Sequence, residues 1–288
     1  MPVTQTVPLL MLLHELERLR RDSGVSSERA ALELGCRVSK ISRIHLGQSK
    51  ISPGDTKLLA ELYGAEPELT RVLVDMARNL GQRGDWSGYR AVYRESARLL
   101  VDLERNSSRM RILQSEIVHG LLQAESYIRA LCSAPSPYGS PVNPDDLVAA
   151  RLERQALLTR PDNPPSVSFV LSESALRREY GDHQAMREQM LHLLEVAALP
   201  NVQLQVLPFA SPSRTVYVSQ SFALLHVPGP GIAAPLDFVY VEQSVDSSYH
   251  DDQHQVAIHE RLWGHLQAAA LGPTESSEFI GKVADEYT

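Results

Sequence analysis

Gly-Val-Ser-Ser-Glu-Arg-Ala-Ala-Leu-Glu-Leu-Gly-Cys-Arg-Val-Ser-Lys-Ile-Ser-Arg-Ile, residues 24–44, decides the reading of this chain. Two short helical segments flank Gly35. A helix-turn-helix needs a small residue where its helices cross, a glycine at the turn, and apolar residues that lock the second helix on the first. Ala31 lies four residues before Gly35, and Ile41 and Ile44 lie six and nine after it. Ala30 and Leu34 complete the apolar face. Between and beside the isoleucines stand Arg37, Ser39, Lys40, Ser42 and Arg43. Short hydroxyls and long cations at the start of a recognition helix suit the major groove, where arginine forks onto guanine and serine reaches a phosphate or a base edge. Gln48, Ser49 and Lys50, just beyond, are placed to touch a phosphate backbone. The plain alternative is a solvated helix face, which is also polar; the Ala–Gly–Ile–Ile pattern favours double-stranded DNA.

Upstream, Leu9, Leu12, Leu13, Leu16 and Leu19 recur at helical spacing, and Gly24 suits a left-handed cap. Ser26 or Ser27 caps the next helix. The second helix of the motif runs from about Ser39 to Leu46 and stops at Gly47. Pro53 opens a fourth helix at a first-turn position, carrying Leu58, Leu59, Leu62 and Tyr63 to Gly64. A fifth runs from Pro67 to about Leu80. The glycine-rich stretch Gly81–Gly88 reads as a joint, and residues 133–144, with four prolines, as an irregular loop.

Beyond the joint the periods mix. Helices are predicted over 94–106, 145–160, 183–199 and 251–271, and a last one, read as a surface element, over 275–286. Strands are predicted over 167–171, 202–207, 216–227 and 238–241, all rich in β-branched and aromatic residues.

The bulk properties agree with two domains that bury ordinary cores. The chain has 288 residues, 43% hydrophobic and 22% charged. Its two cysteines, Cys36 and Cys132, form no C-x-x-C, which argues against a disulfide framework or a cysteine zinc site. No run approaches a membrane span or a secretory signal, so a cytoplasmic protein without membrane contact is expected. Net charge is −7, unevenly spread: residues 1–80 carry 11 Lys/Arg against 10 Asp/Glu, the rest 17 against 25. Only the first part approaches a phosphate backbone without strong repulsion. One module makes few contacts, so a homodimer on two half-sites is expected.

Signatures of catalysis are missing: no G-x-S-x-G, Walker loop, dinucleotide fingerprint or H-E-x-x-H. Glu116 and His119, three apart, would share a face on a helical turn and could form a general base. His250, Asp251, His254 and His259 offer two positions four apart on one helical face, without a closing metal ligand. The expectation is therefore no metal and no cofactor.

Residues 24–35 followed by Ser-Lys-Ile-Ser-Arg-Ile (39–44) resemble the lambda-repressor-like, Xre-type helix-turn-helix. Ser-Glu-Ile-Val-His-Gly-Leu-Leu-Gln-Ala-Glu-Ser-Tyr (115–127), Arg-Leu-Glu-Arg-Gln (151–155), Ser-Ala-Leu-Arg-Arg (174–178), Met-Arg-Glu-Gln-Met (186–190), Pro-Asn-Val-Gln-Leu-Gln-Val-Leu-Pro-Phe (200–209) and Val-Tyr-Val-Glu (239–242) resemble the C-terminal domain common in actinobacterial regulators of that type. The resemblance implies a transcription factor, often encoded beside a small partner protein, sometimes antitoxin-like, and linked to differentiation and secondary metabolism. The chain departs from the family at His45, where glutamate is usual, at His119, where proline is usual, and at His226, often acidic.

The expected fold class is α+β. A five-helix, lambda-repressor-like domain spans 1–80, a linker 81–93, and a mixed α+β domain with a small, mainly antiparallel sheet 94–288. The second domain is expected to bind a small partner protein or a metabolite. A rival reading is a regulator-like scaffold repurposed as a cofactor-free cyclase or dehydratase, using Glu116 and His119. A third is a protein-binding, antitoxin-like module whose helix-turn-helix only dimerises.

Overall fold

The computed structural model describes residues 6–80, 92–93, 95–133, 143–210, 220–243 and 247–288. Most of the expected joint, most of the proline-rich loop and the start of the 216–227 strand lie outside the described residues. The chain divides into two compact units, Met1–Gly88 with Val227–Leu236, and Tyr89–His226 with Asp237–Thr288.

In the first unit the helices are α1 (Val7–Ser23), α2 (Ser27–Glu33), α3 (Val38–His45), α4 (Pro53–Leu62) and α5 (Pro67–Asn79). Several boundaries have a local cause. Ser26 Oγ accepts the Arg29 N–H at 3.2 Å and Ser52 Oγ the Asp55 N–H at 3.0 Å, so each serine satisfies a first-turn donor that has no helical partner. Pro53 and Pro67 sit in the first turns of α4 and α5, where a missing N–H costs nothing. Leu12, Leu16, Ala30, Ile41, Ile44, Leu59 and Leu73 are fully buried and form the core.

The second unit begins with α6 (Glu95–Asn106) and β1 (Arg109–Gln114), followed by α7 (Glu125–Ser133) and α8 (Pro144–Gln155). β2 (Ser166–Ser172), α9 (Glu173–Arg177), α10 (His183–Ala197) and β3 (Val202–Leu207) come next. β4 (Phe222–Val227), β5 (Leu236–Glu242), β6 (Ser247–His250), α11 (Gln253–Ala269) and α12 (Pro273–Glu286) complete it. The strands form one sheet in the order β3-β2-β1-β4-β5-β6. β1, β2 and β3 pair in parallel; β1 with β4 and β5 with β6 pair antiparallel.

This sheet is six-stranded and mixed, larger and more parallel than the small, mainly antiparallel one expected. The cause lies in the connections: α7 and α8 carry the chain from β1 to β2, and α9 and α10 from β2 to β3. Returning to start a strand in the same direction requires such crossovers.

Both sheet faces bury apolar side chains. Leu113, Val170, Leu207, Phe222, Leu224, Val239 and Val241 form one core with Trp263, Leu266 and Ala269 of α11. The alternate positions Met110, Ile112, Val167, Phe169 and Leu204 are equally buried. Continuous apolar runs result instead of simple alternation.

The last helix is not the surface element expected. Ile280, Val283 and Ala284 of α12 are buried, as is Ser276. Ser276 Oγ accepts the Val206 N–H at 2.9 Å, and Leu271 N–H donates to Val206 O at 2.8 Å. Residues 271–276 thus occupy the free edge of β3, which would otherwise expose unpaired backbone groups.

Candidate nucleic-acid interface

The turn between α2 and α3 is built from backbone bonds. Gly35 N–H donates to Leu32 O at 3.1 Å and Cys36 N–H to Ala31 O at 2.9 Å, the paired bonds of a Schellman motif. That motif needs a left-handed residue after the helix, and Gly35 supplies φ +60°. Gly47 repeats the device at the end of α3, with φ +66° and the Gln48 N–H on Arg43 O at 2.8 Å. The chain is thereby turned so that Gln48, Ser49 and Lys50 follow α3 directly.

Ala30, Ala31, Ile41 and Ile44 are buried and Leu34 is half-buried, so the apolar lock read from the sequence lies in the core. The opposite face of α3 is open. Arg37, Ser39, Ser42 and Arg43 are exposed, as are Gln48 and Lys50, while Ser49 is half-buried. Lys40 is half-buried and lies 3.4 Å from Asp55. Arg43 Nε donates to Ser39 O at 3.2 Å, which lays the guanidinium along the helix. No carboxylate occurs within α3. The row is a cationic, hydroxyl-bearing helix face followed by Gln48, Ser49 and the single cation Lys50, suited to phosphate and base-edge contact.

His45, the departure beside this face, points elsewhere. Its Nδ1 lies 3.1 Å from Glu17 Oε2 and its Nε2 3.3 Å from the Tyr63 hydroxyl. Burial holds its pKa below the ordinary value; Glu17 pulls the other way and Arg20 adds to the lowering. Burial also pushes Tyr63 up to about 12. His45 ties α3 to α1 and α4, and its side chain is only 10% exposed.

In the second unit Glu116 and His119 are not brought together. Residues 115–119 form a bend and not a helical turn, so the three-residue spacing does not put them on one face. Glu116 accepts Arg178 Nε at 2.7 Å and Ser174 Oγ at 3.1 Å on an exposed surface. His119 is buried, with Nε2 3.5 Å from Glu104 Oε1 and Nδ1 accepting the Leu121 N–H at 3.3 Å. This arrangement selects the neutral tautomer protonated at Nε2. Burial lowers the His119 pKa well below its ordinary value, and the Arg154 and Arg151 charges add to that.

His119 belongs to a buried polar cluster that sequence reasoning missed. Glu104 accepts Arg154 Nε at 2.6 Å and Nη2 at 2.7 Å. Burial disfavours the Arg154 charge, but Glu104 outweighs it and raises the pKa. Gln155 Nε2 donates to Gly120 O at 3.0 Å and Gln123 O at 2.8 Å, and Arg151 donates to Gln123 Oε1. Gln189 closes the other side through the Ala124 N–H at 2.8 Å and Leu122 O at 2.7 Å. One signal was available: Arg151, Arg154 and Gln155 fall on one helical face by their spacing.

The four-residue spacing of His250 and His254 is also broken. His250 ends β6, Asp252 caps α11, and His254 is in the first turn. His259 lies edge-on to Phe222, ring centroids 5.2 Å apart, with Nδ1 2.9 Å from Gln255 O. Among the described residues no group of His, Cys, Asp and Glu could hold a metal, and no helix is long and apolar enough to cross a membrane.

Residues 97–282 match the family described as a domain of unknown function, DUF5753. The chain belongs to the DUF5753 family. Residues 12–73 of this DUF5753 protein also match a helix-turn-helix domain, a span that contains α2, α3 and α4. No curated protein and no solved structure matches the chain. The helix-turn-helix match points to a DNA-binding regulator, and it covers the same α2–turn–α3 unit that presents the cationic face.

Proposed function

We propose that this DUF5753 protein is a sequence-specific, Xre-like transcriptional regulator that binds double-stranded DNA as a homodimer. The observation that carries the reading is the open α3 face: Arg37, Ser39, Ser42 and Arg43 exposed, opposite a fully buried Ile41–Ile44 lock. With the Ile41–Ile44 side spent on the core, the open side of α3 is left for a partner, and it carries cations without carboxylates. Lys40 joins by leaving Asp55; Gln48, Ser49 and Lys50 clamp the backbone. The second unit would bind a small partner protein or a metabolite and change DNA affinity, the antitoxin-like arrangement implied by the family resemblance. A cytoplasmic location goes with this reading.

The test is a gel-shift titration of the full chain against its own upstream region, with unrelated DNA as control. A specific shift that disappears in Lys40→Ala/Arg43→Ala supports the proposal. An equal shift on both DNAs, or one the double variant retains, overturns it.

A further inference from the structure

The polar half of one sheet face is left open. In β1 and β2, Arg109 pairs with Ser166 and Arg111 with Ser168, so these four side chains stand side by side on that face. Glu260, Trp263, Gly264 and Gln267 of α11 form the opposite wall, and the groove between has a volume of about 430 Å³. That size falls in the range of small-molecule sites. Where the strands continue, the same face is apolar and closed by α11; the groove opens where the residues become Arg and Ser.

The chemistry of the lining is one-sided. Among the described residues Arg109 makes no side-chain hydrogen bond or ion pair, nor do the hydroxyls of Ser166 and Ser168 or the Gln267 amide. Arg111 meets one carboxylate, Glu260, 3.5 Å away and half-exposed. The other nearby carboxylate, Asp237, is held by His226 at 2.7 Å. Two guanidiniums therefore converge with two hydroxyls and a carboxamide, and the single carboxylate of the lining is Glu260. Guanidiniums bind carboxylate and phosphate oxygens through paired, charge-assisted N–H bonds. Gly264 puts no side chain into this space, and a Cβ added there would meet no atom within 4 Å.

We infer that this groove is a binding site for a small molecule bearing an oxyanion, a phosphate or a carboxylate, held by Arg109 and Arg111 and oriented by Ser166 and Ser168. The inference rests on the reading of the second unit as a ligand-binding module and names the ligand class it takes.

The test is calorimetric titration of the full chain with inorganic phosphate and, separately, with succinate, at constant ionic strength with chloride as control. Saturable binding of either oxyanion at one site per chain is expected, and the stronger of the two identifies the group. Arg109→Gln/Arg111→Gln should weaken it about tenfold or more, the loss of charge-assisted hydrogen bonds. Gly264→Leu, which adds a side chain to the groove wall and leaves both arginines in place, should weaken it comparably. Circular dichroism establishes that both variants are folded. Absence of saturation with both oxyanions, or equal binding by the folded variants, overturns the inference. A gel shift lost on Arg109→Gln/Arg111→Gln, with no oxyanion binding by the parent, also overturns it and reassigns the arginines to DNA phosphates. Because the titration contains no DNA, its failure is separable from failure of the regulator reading, which the gel shift tests alone.

Discussion

Glu104→Gln and Arg154→Met should destabilise the second unit by different routes. The pair is dry: the Glu104 side chain is 0% exposed and that of Arg154 7%, joined by two hydrogen bonds of 2.6 and 2.7 Å. Removing one partner of such a pair costs about 3–5 kcal/mol, because the other charge stays buried without compensation. Glu104→Gln leaves the Arg154 cation with Arg151 nearby and should cost that full amount at any pH near neutrality. Arg154→Met leaves the Glu104 carboxylate with His119 Nε2 3.5 Å away.

His119 is neutral in the parent because burial and the two arginines lower its pKa. A lowered folded-state value means that the parent loses stability as pH falls below about 6.5. With Arg154 gone and the Glu104 charge unshared, one of the lowering causes is removed and the His119 pKa should rise. The loss of stability at acid pH is then smaller than in the parent. Each unit of that rise returns about 1.4 kcal/mol at low pH.

The cost of Arg154→Met should therefore be clearly smaller at about pH 5 than at about pH 8. Urea unfolding followed by circular dichroism, fitted for two units, measures it. A cost below about 1 kcal/mol, the size of an exposed pair, would refute the buried-pair argument. A cost independent of pH would refute the role given to His119.

Three further outcomes are expected. Arg43→Ala and Arg37→Ala should each weaken specific DNA binding by about 1–3 kcal/mol if they read bases; an unchanged gel-shift midpoint in a folded variant removes that residue from the interface. Lys40→Ala should cost less, since its parent must first leave Asp55. Gly35→Ala should lower stability by about 1 kcal/mol for conformation alone, since its Cβ meets nothing within 4 Å, whereas Gly47→Ala should cost more because Leu13 Cδ1 lies 3.2 Å from the added carbon; thermal unfolding ranks the two, and the reverse order contradicts the geometry. His45→Gln should flatten the pH dependence of the first unit, because burial depresses the His45 pKa and its share of stability is lost as pH falls below about 6.5; urea midpoints across that range decide, and an unchanged slope would place the titration elsewhere.

Much of the helix-turn-helix is legible in the chain because its causes are local. Gly35 and Gly47 need their left-handed φ whatever surrounds them, Ser26 and Ser52 reach only three residues, and Ile41 and Ile44 declare a buried face by spacing alone. β1 is harder to see: Arg109-Met-Arg-Ile alternates briefly, then turns apolar where α11 closes the face that carries the arginines. α12 looks like a surface helix until β3 needs its edge closed. Glu116 and His119 share a face only if residues 115–119 are helical, and competing partners, Arg178 for one and Glu104 for the other, draw them apart.

What the sequence by itself determined is thus the α2–turn–α3 unit and the polar composition of its open face. Only the tertiary structure decided the sheet order, the Glu104–Arg154 cluster and the arginine groove. Glu104 and Arg154 are 50 residues apart, and Gln114 reaches Glu242 across 128. Such meetings depend on how crossover helices return the chain to a parallel register, and backbone pairing sets that register far from the side chains it aligns.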